Sequence, residues 1–258
     1  CFQLKTMHTT EPEDQFTEGM KAFAEKNHFF TRHSKVLLAV SGGIDSMVMA
    51  HAMHSLKWVQ GIAHCNFQLR GKESDEDESF VREWAKKHGI PFYLQRFETE
   101  RHALLQGISL QMAARELRYN WFKELCSQYG YTQVAIAHHL DDQAETFFIN
   151  LARGSGIKGL AGIPVKQDVF IRPLLFATRA EIEEYARRSG INWREDSSNS
   201  TEKYLRNKIR HRLIPLLESI YPGATENLLQ SMKKLGNSYQ ICSQRLREFI
   251  NDVAANKK

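Results

Sequence analysis

Two stretches of this chain hold residue types at spacings that can do chemistry. The first is Ser41-Gly42-Gly43-Ile44-Asp45-Ser46. An apolar, partly β-branched run, Val36 to Val40, stops just before it, and an Ala- and Met-rich run, Met47 to Leu56, follows. That is the pattern of a buried strand, a tight turn and a helix start. Adjacent glycines let the backbone come close to a ligand, and the first N–H groups of a helix have no intrahelical partner. Together with the positive helix end they make an anion site. The GxxxxGK[ST] spacing and its lysine are missing, which excludes the common P-loop. A purely structural strand–turn–helix junction is the bland alternative.

The second stretch is Ala137-His138-His139-Leu140-Asp141-Asp142-Gln143-Ala144-Glu145-Thr146. Asp141 and Asp142 each stand about one helical turn before Glu145, so three carboxylates gather on a helix face at its N-terminus. Acidic capping explains one of them, not three with two histidines. Zinc is the weaker alternative, because adjacent imidazoles rarely ligate one metal. Two lesser groups accompany these. His64 and Asn66 can hydrogen-bond a base or ribose, and Arg70 a phosphate, although a His or Asn at a strand end is usually structural. Arg115 and Arg118 lie one turn apart, either as a solvated basic face or as a source of positive charge. Cys65 reads as a small buried residue, not a nucleophile.

The elements that must position these groups alternate. Strands are expected at Val59–His64, Pro91–Leu94, Gln133–His138 and Phe170–Leu174, beside the first at Val36–Val40. Helices are expected from Lys72 to His88, Ser109 to Tyr129, Asp141 to Arg153 and Arg179 to Ser189. Alternation of this kind implies a parallel sheet covered on both faces, with ligands beyond the carboxyl ends of the strands. Ser41, His64, Asn66 and His138 to Asp142 all fall there. Ser197 to Thr201 is a polar break, beyond which Arg206, Lys208, Arg210 and Arg212 crowd one stretch before a helical tail from Asn227 to Asn251.

Charged residues at 25% and hydrophobic ones at 42% suit a soluble globular protein. A net charge of +5 leans weakly towards polyanionic partners. Four scattered cysteines with no CxxC pair argue against a disulfide framework or zinc site and for a reducing cytoplasm. No apolar stretch reaches membrane-span length, and no signal peptide is visible. The chain starts at Cys1 and stops just after a helical stretch, so trimming at both ends is expected.

The Ser-Gly-Gly-x-Asp-Ser loop resembles that of the ATP pyrophosphatases, which cut ATP between its α- and β-phosphates. The whole pattern resembles the tRNA(Ile)-lysidine synthases. Carrying it are His64-Cys65-Asn66 with Leu69-Arg70, Ala114-Arg115-Glu116-Leu117-Arg118-Tyr119, His139 to Thr146, Arg153-Gly154-Ser155-Gly156, Arg172-Pro173-Leu174-Leu175, Trp193 to Asn199 and Tyr204 to Arg210, in that order. Phe67 departs from it, since the family more often has histidine there. The chain is also shorter than members with full C-terminal tRNA-binding domains.

The resemblance implies a doubly wound, parallel, five-stranded α/β sheet of adenine nucleotide alpha hydrolase type with a small helical C-terminal domain. Residues 1–32 would be a helical extension, 33–200 the catalytic domain, and 201–258 a helical connector with part of a tRNA-binding region. The implied activity is a ligase reaction. ATP adenylates O2 of the wobble cytidine of a CAU-anticodon tRNA(Ile), pyrophosphate leaves, and the ε-amine of L-lysine displaces AMP at C2.

Ser41, Gly42, Gly43, Ile44 and Ser46 would hold the pyrophosphate, and Asp45 a Mg²⁺ ion, directly or through water. His64 and Asn66 would meet the nucleotide. Arg115, then Arg118, would stabilise charge near the reacting base. His139, Asp141, Asp142 and Glu145 would surround lysine, one carboxylate accepting its proton. The cluster from Arg206 to Arg212 would meet tRNA phosphates or, alternatively, the acidic face of its own domain. The reading allows a homodimer. A tRNA thiolation enzyme of the same superfamily is the runner-up, disfavoured by the missing cysteine pairs. A nucleotide- or tRNA-binding module without turnover is the non-enzymatic alternative.

Overall fold

The computed structural model describes residues 12–195 and 205–255. Ser197–Thr201 and the first residues of the chain lie outside the described residues. Of the described residues, those up to His139 and Val165–Glu195 form one unit. Leu140–Pro164 and the residues from Leu205 onward form a second. The helix that carries Asp141, Asp142 and Glu145 therefore groups with the C-terminal helices.

The first unit is built on a sheet of order β3-β2-β1-β4-β6-β5. Its strands are β1 (Val36–Ala39), β2 (Gly61–Asn66), β3 (Phe92–Arg96), β4 (Gln133–Ala135), β5 (Lys166–Gln167) and β6 (Phe170–Ile171). Five strands are parallel. The sixth, β5, is antiparallel to β6, a correction to the five expected. Its two residues are too few and too exposed to show any hydrophobic period.

Helices α1 (Pro12–Lys26), α2 (Ile44–Ser55), α3 (Lys72–Lys87) and α8 (Arg179–Arg188) pack on one face. α5 (Leu110–Tyr129) packs on the other, joined to α4 (Thr99–Gln106), which sequence reading missed. Strand alternation divides the core accordingly. Val36, Leu38 and Val40 join Met47, Met49 and Val81, whereas Leu37 joins Trp121, Phe122 and Val134. The chain runs β1 to β2 to β3, then returns to place β4 on the other side of β1. This reversal makes the carboxyl ends of β1 and β4 a topological switch point.

The second unit is helical: α6 (Leu140–Ala152), α7 (Ile157–Leu160), α9 (Leu205–Lys208), a π-helical turn (Ile209–Leu213), α10 (Ile214–Ile220) and α11 (Ala224–Ala255). The Gln143 amide closes it by bonding both polar backbone atoms of Ile163, at 2.8 and 2.7 Å. Gly162 sits at φ +81°, and a Cβ there would strike Gln143 and Met232.

Where β2 and β3 end, Glu78 of α3 gathers charge. Its carboxylate accepts from Arg96 Nε at 2.9 Å, Arg82 at 3.0 Å and the Asn66 amide at 3.1 Å. Burial alone would raise its pKa; these donors outweigh burial and hold it at about 2. A carboxyl depressed in the folded state stabilises above its unfolded pKa and loses that stability as pH falls. Arg96 is half in water, so the contribution is about 2 kcal/mol rather than the full shift. Glu78→Gln should therefore cost about 2 kcal/mol near neutral pH. The difference from wild type should shrink as pH falls from about 4.5 towards 2 in denaturant titrations. A difference independent of pH would refute this account.

Candidate functional site

In the first unit the Ser-Gly-Gly-Ile-Asp-Ser loop turns from β1 into α2. Gly42 takes φ +98°, and its Cα faces Val81, Phe80 and Asp77 of α3, which lie within 4 Å of where a Cβ would be. Ser46 Oγ knots the turn. It donates to the Gly43 carbonyl at 2.8 Å and accepts from the N–H groups of Ser41 and Gly42, each at 3.2 Å. Gly43 is the N-cap of α2 and no side chain caps this end. The first helical bond runs from Met47 N–H to Gly43 O at 3.0 Å, so Ile44, Asp45 and Ser46 supply the N–H groups at the positive end. The serine hydroxyls thus shape the loop, and the helix start carries the anion-binding capacity.

Asp45 is half-buried, and Arg179 Nη1 bonds both of its carboxylate oxygens at 2.9 Å. Arg179 is the first residue of α8, behind a Thr178–Glu181 capping box. Its Nε reaches Glu183 at 2.7 Å. Sequence reading missed Arg179; only the capping pattern hinted that its place is fixed.

A second brace comes from Arg194, whose N–H donates to Gly42 O at 3.0 Å. Its guanidinium spans Asp77 and Glu76, both at 2.7 Å. Arg70, expected at phosphate, bonds Asp77 at 2.7 Å. His64 and Asn66 are buried, with His64 Nδ1 on Val40 O at 2.9 Å and Asn66 within the Glu78 network. Burial lowers the His64 pKa. His64 thus braces the strand end just before the loop, whereas Asn66 ties the end of β2 to α3, because strand-end side chains that point into the fold find partners there.

Arg115 and Arg118 share α5 but not an environment. Arg115 is exposed and lies over the Tyr119 ring at 4.6 Å. Arg118 lies over Phe67 at 5.3 Å, and burial lowers its pKa. His139 is buried and His138 half-buried, just past β4. Two thiols of the first unit are poor nucleophiles: burial pushes Cys65 up to about 12 and Cys126 up to about 11.

The second unit brings the acidic residues of α6 together with arginines from a segment about sixty residues later. Glu145 has no exposed surface, and Asp142 is buried. Arg210 Nε donates to Glu145 Oε1, and Arg206 Nε stands 3.3 Å from Oε2. Both guanidinium groups also approach Asp142 Oδ1 at 3.9 Å, and Arg206 bonds Thr146 Oγ1 at 3.3 Å. Burial raises the Glu145 pKa against the opposing pull of Arg210. Of the basic cluster expected at tRNA phosphates, Arg206 and Arg210 thus pair inside their own unit; Lys208 and Arg212 are exposed. Arg210 lies on the π-helical turn, which a sequence pattern of period 3.6 does not reveal.

Comparison with known proteins agrees with these features. The PP-loop domain family matches residues 12–217. A tRNA(Ile)-lysidine synthase of Bacteroides thetaiotaomicron is 41% identical over 88% of this chain and 53% of its own length. One from Chlorobaculum tepidum is 42% identical over 93% of this chain and 70% of its own. The chain spans about half the length of the first curated relatives it matches. Among solved structures, the U34-tRNA thiolase NcsA of Methanococcus maripaludis superposes with a TM-score of 0.70 over 87% of this chain and 79% of its own. At 18% identity that likeness speaks for the fold alone. The loop, the sheet around it and the relatives agree, and the chain belongs to the tRNA(Ile)-lysidine synthase family of PP-loop proteins.

Proposed function

We propose that this chain carries the ATP-dependent ligation of free L-lysine to C2 of the wobble cytidine in an AUA-reading tRNA(Ile). The observation that carries the reading is the two-signed cluster of Asp142, Glu145, Arg206 and Arg210. Free lysine is itself two-signed, with one carboxylate and two ammonium groups. Carboxylates already set in pairs with arginines can exchange partners with it, so no charge is left buried alone. Guanidinium would take the α-carboxylate as a fork, and Asp142, Glu145 and the half-buried Asp141 the ammonium groups. The raised pKa of Glu145 suits the carboxylate that takes the proton the attacking ε-amine must lose.

The uncapped start of α2 would hold the pyrophosphate of ATP as it leaves, with Ser41 to Ser46 keeping the turn in shape. Adenylation of the base oxygen needs positioning and charge stabilisation rather than a protein nucleophile. Arg115, exposed on α5, would supply positive charge near the reacting base, with Arg118 second. Asp45 fits a Mg²⁺ ion that arrives with the phosphates, since such ions are held by one or two carboxylates plus substrate oxygens. Bound there, the ion would neutralise phosphate charge, and Arg179 would have to yield one carboxylate oxygen or accept a bridging water.

Two measurements test this reading. Asp45→Asn should cut pyrophosphate release by roughly a hundredfold or more in a variant that still folds. Normal release by a folded variant would remove Asp45 from the reaction. Glu145→Gln should raise the lysine KM by about ten- to a hundredfold, the range of a lost charge-assisted hydrogen bond, and leave the ATP KM unchanged. A weakened ATP dependence with normal lysine dependence would overturn the assignment of α6 to lysine.

A further inference from the structure

Arg172 is the bulkiest fully buried side chain among the described residues, at 2% exposure. Burying a guanidinium is costly unless its donors are used. It follows β6 directly, at the carboxyl edge of the sheet, beside β4 and the segment Ile136 to His139 that leaves it. Backbone bonds fix both neighbours: Ile136 N–H to Ile171 O at 2.9 Å, Arg172 N–H to Val165 O at 3.1 Å and His138 N–H to Ile136 O at 2.9 Å. On that frame Arg172 Nε donates to His138 Nδ1 at 3.3 Å. Arginine has no acceptor and keeps its proton, so His138 Nδ1 must offer its lone pair. The ring is then neutral, with its one hydrogen on Nε2. Tyr119 and Arg115 also stand beside the Arg172 guanidinium.

We propose that Arg172 is a positioning residue that fixes His138 as the neutral Nε2–H tautomer, and that His138 donates this hydrogen to an oxygen of the nucleotide substrate. The inference rests on the ligation reading above and adds a residue to it. His138 is half-buried at the switch-point edge, on the same sheet edge as the Ser41–Ser46 loop. A neutral donor suits that place, because it can stabilise charge that develops on the transferred group without repelling the arginines of α5. The order of residues does not disclose this pairing, since 34 positions separate the two side chains.

The tautomer can be read without any substrate. In the full chain labelled with ¹⁵N-histidine, long-range ¹H–¹⁵N correlation should show His138 only as the Nε2–H form, its signals identified by their loss in His138→Gln. Arg172→Met should bring in the Nδ1–H form and lower kcat by roughly a hundredfold, with the KM values for ATP and lysine little changed. Arg172→Lys, still only a donor, should restore part of the tautomer preference and of kcat. His138→Gln, whose amide nitrogen falls near Nε2, should retain more activity than His138→Asn, whose amide falls near Nδ1. An Nδ1–H tautomer in wild type, or an unchanged tautomer in a folded Arg172→Met, would overturn the proposal. If Arg172→Met does not fold, the wild-type spectrum and the order of the two His138 variants still decide it. Failure of the ligation reading would show separately, as wild type that makes no AMP from ATP, tRNA and lysine.

Discussion

Strand β1 is hydrogen-bonded on both sides, to β2 and to β4, and the chemistry of the first unit hangs from its carboxyl end. Because its neighbours run parallel, each connection must cross the sheet, and every carboxyl end emerges at one edge. The Ser41–Ser46 loop, the ends of β2 and β4, and Arg172 after β6 therefore share that edge whatever their distance in sequence. The register leaves little slack. Leu37 lies opposite Gly61, where a Cβ would overlap the Tyr131 hydroxyl, and Tyr131 in turn bonds Gln60 O at 3.0 Å. A slip of one residue would send Val36 and Leu38 to the wrong face and pull the loop out of reach of α3.

A second constraint is electrostatic. Buried and half-buried carboxylates of the first unit near the working edge are met by arginine: Asp45 by Arg179, Asp77 by Arg194 and Arg70, and Glu78 by Arg96 and Arg82. The second unit repeats the pattern with Glu145 and Arg210. Removing one partner of such a pair strands the other, so they fix geometry strongly. The pairs differ in what can displace them. Glu78 is boxed in by three donors and is a fastening. Asp45 and Glu145 face groups of the kind their proposed ligands would bring, so under the proposed reaction the ion pairs that hold the site in shape would be exchanged for substrate charge.

Much of this was legible from residue order. The apolar run, the glycines and the Ala- and Met-rich run announced β1, the loop and α2, because strand, turn and helix start each leave a local mark. Ser109 as the N-cap and Gly130 as the left-handed end of α5 match the helix expected from Ser109 to Tyr129 for the same reason. The short elements α4, α7 and β5 did not show, since four to eight residues, or two, give no reliable period.

Sequence alone determined the class of the fold, the anion-binding loop and the acidic helix start, because each depends on residues within one turn or one strand. It also placed Arg206 and Arg210 in a basic cluster and His64 and Asn66 at a strand end, without saying what they would meet. Only the tertiary structure decided that. It turned His64 and Asn66 inward, set Arg179 on Asp45 from 134 residues away, and brought Arg210 to Glu145 across 65. Those pairings follow from how strands and helices are packed, and packing joins side chains whose separation along the chain carries no trace of their contact.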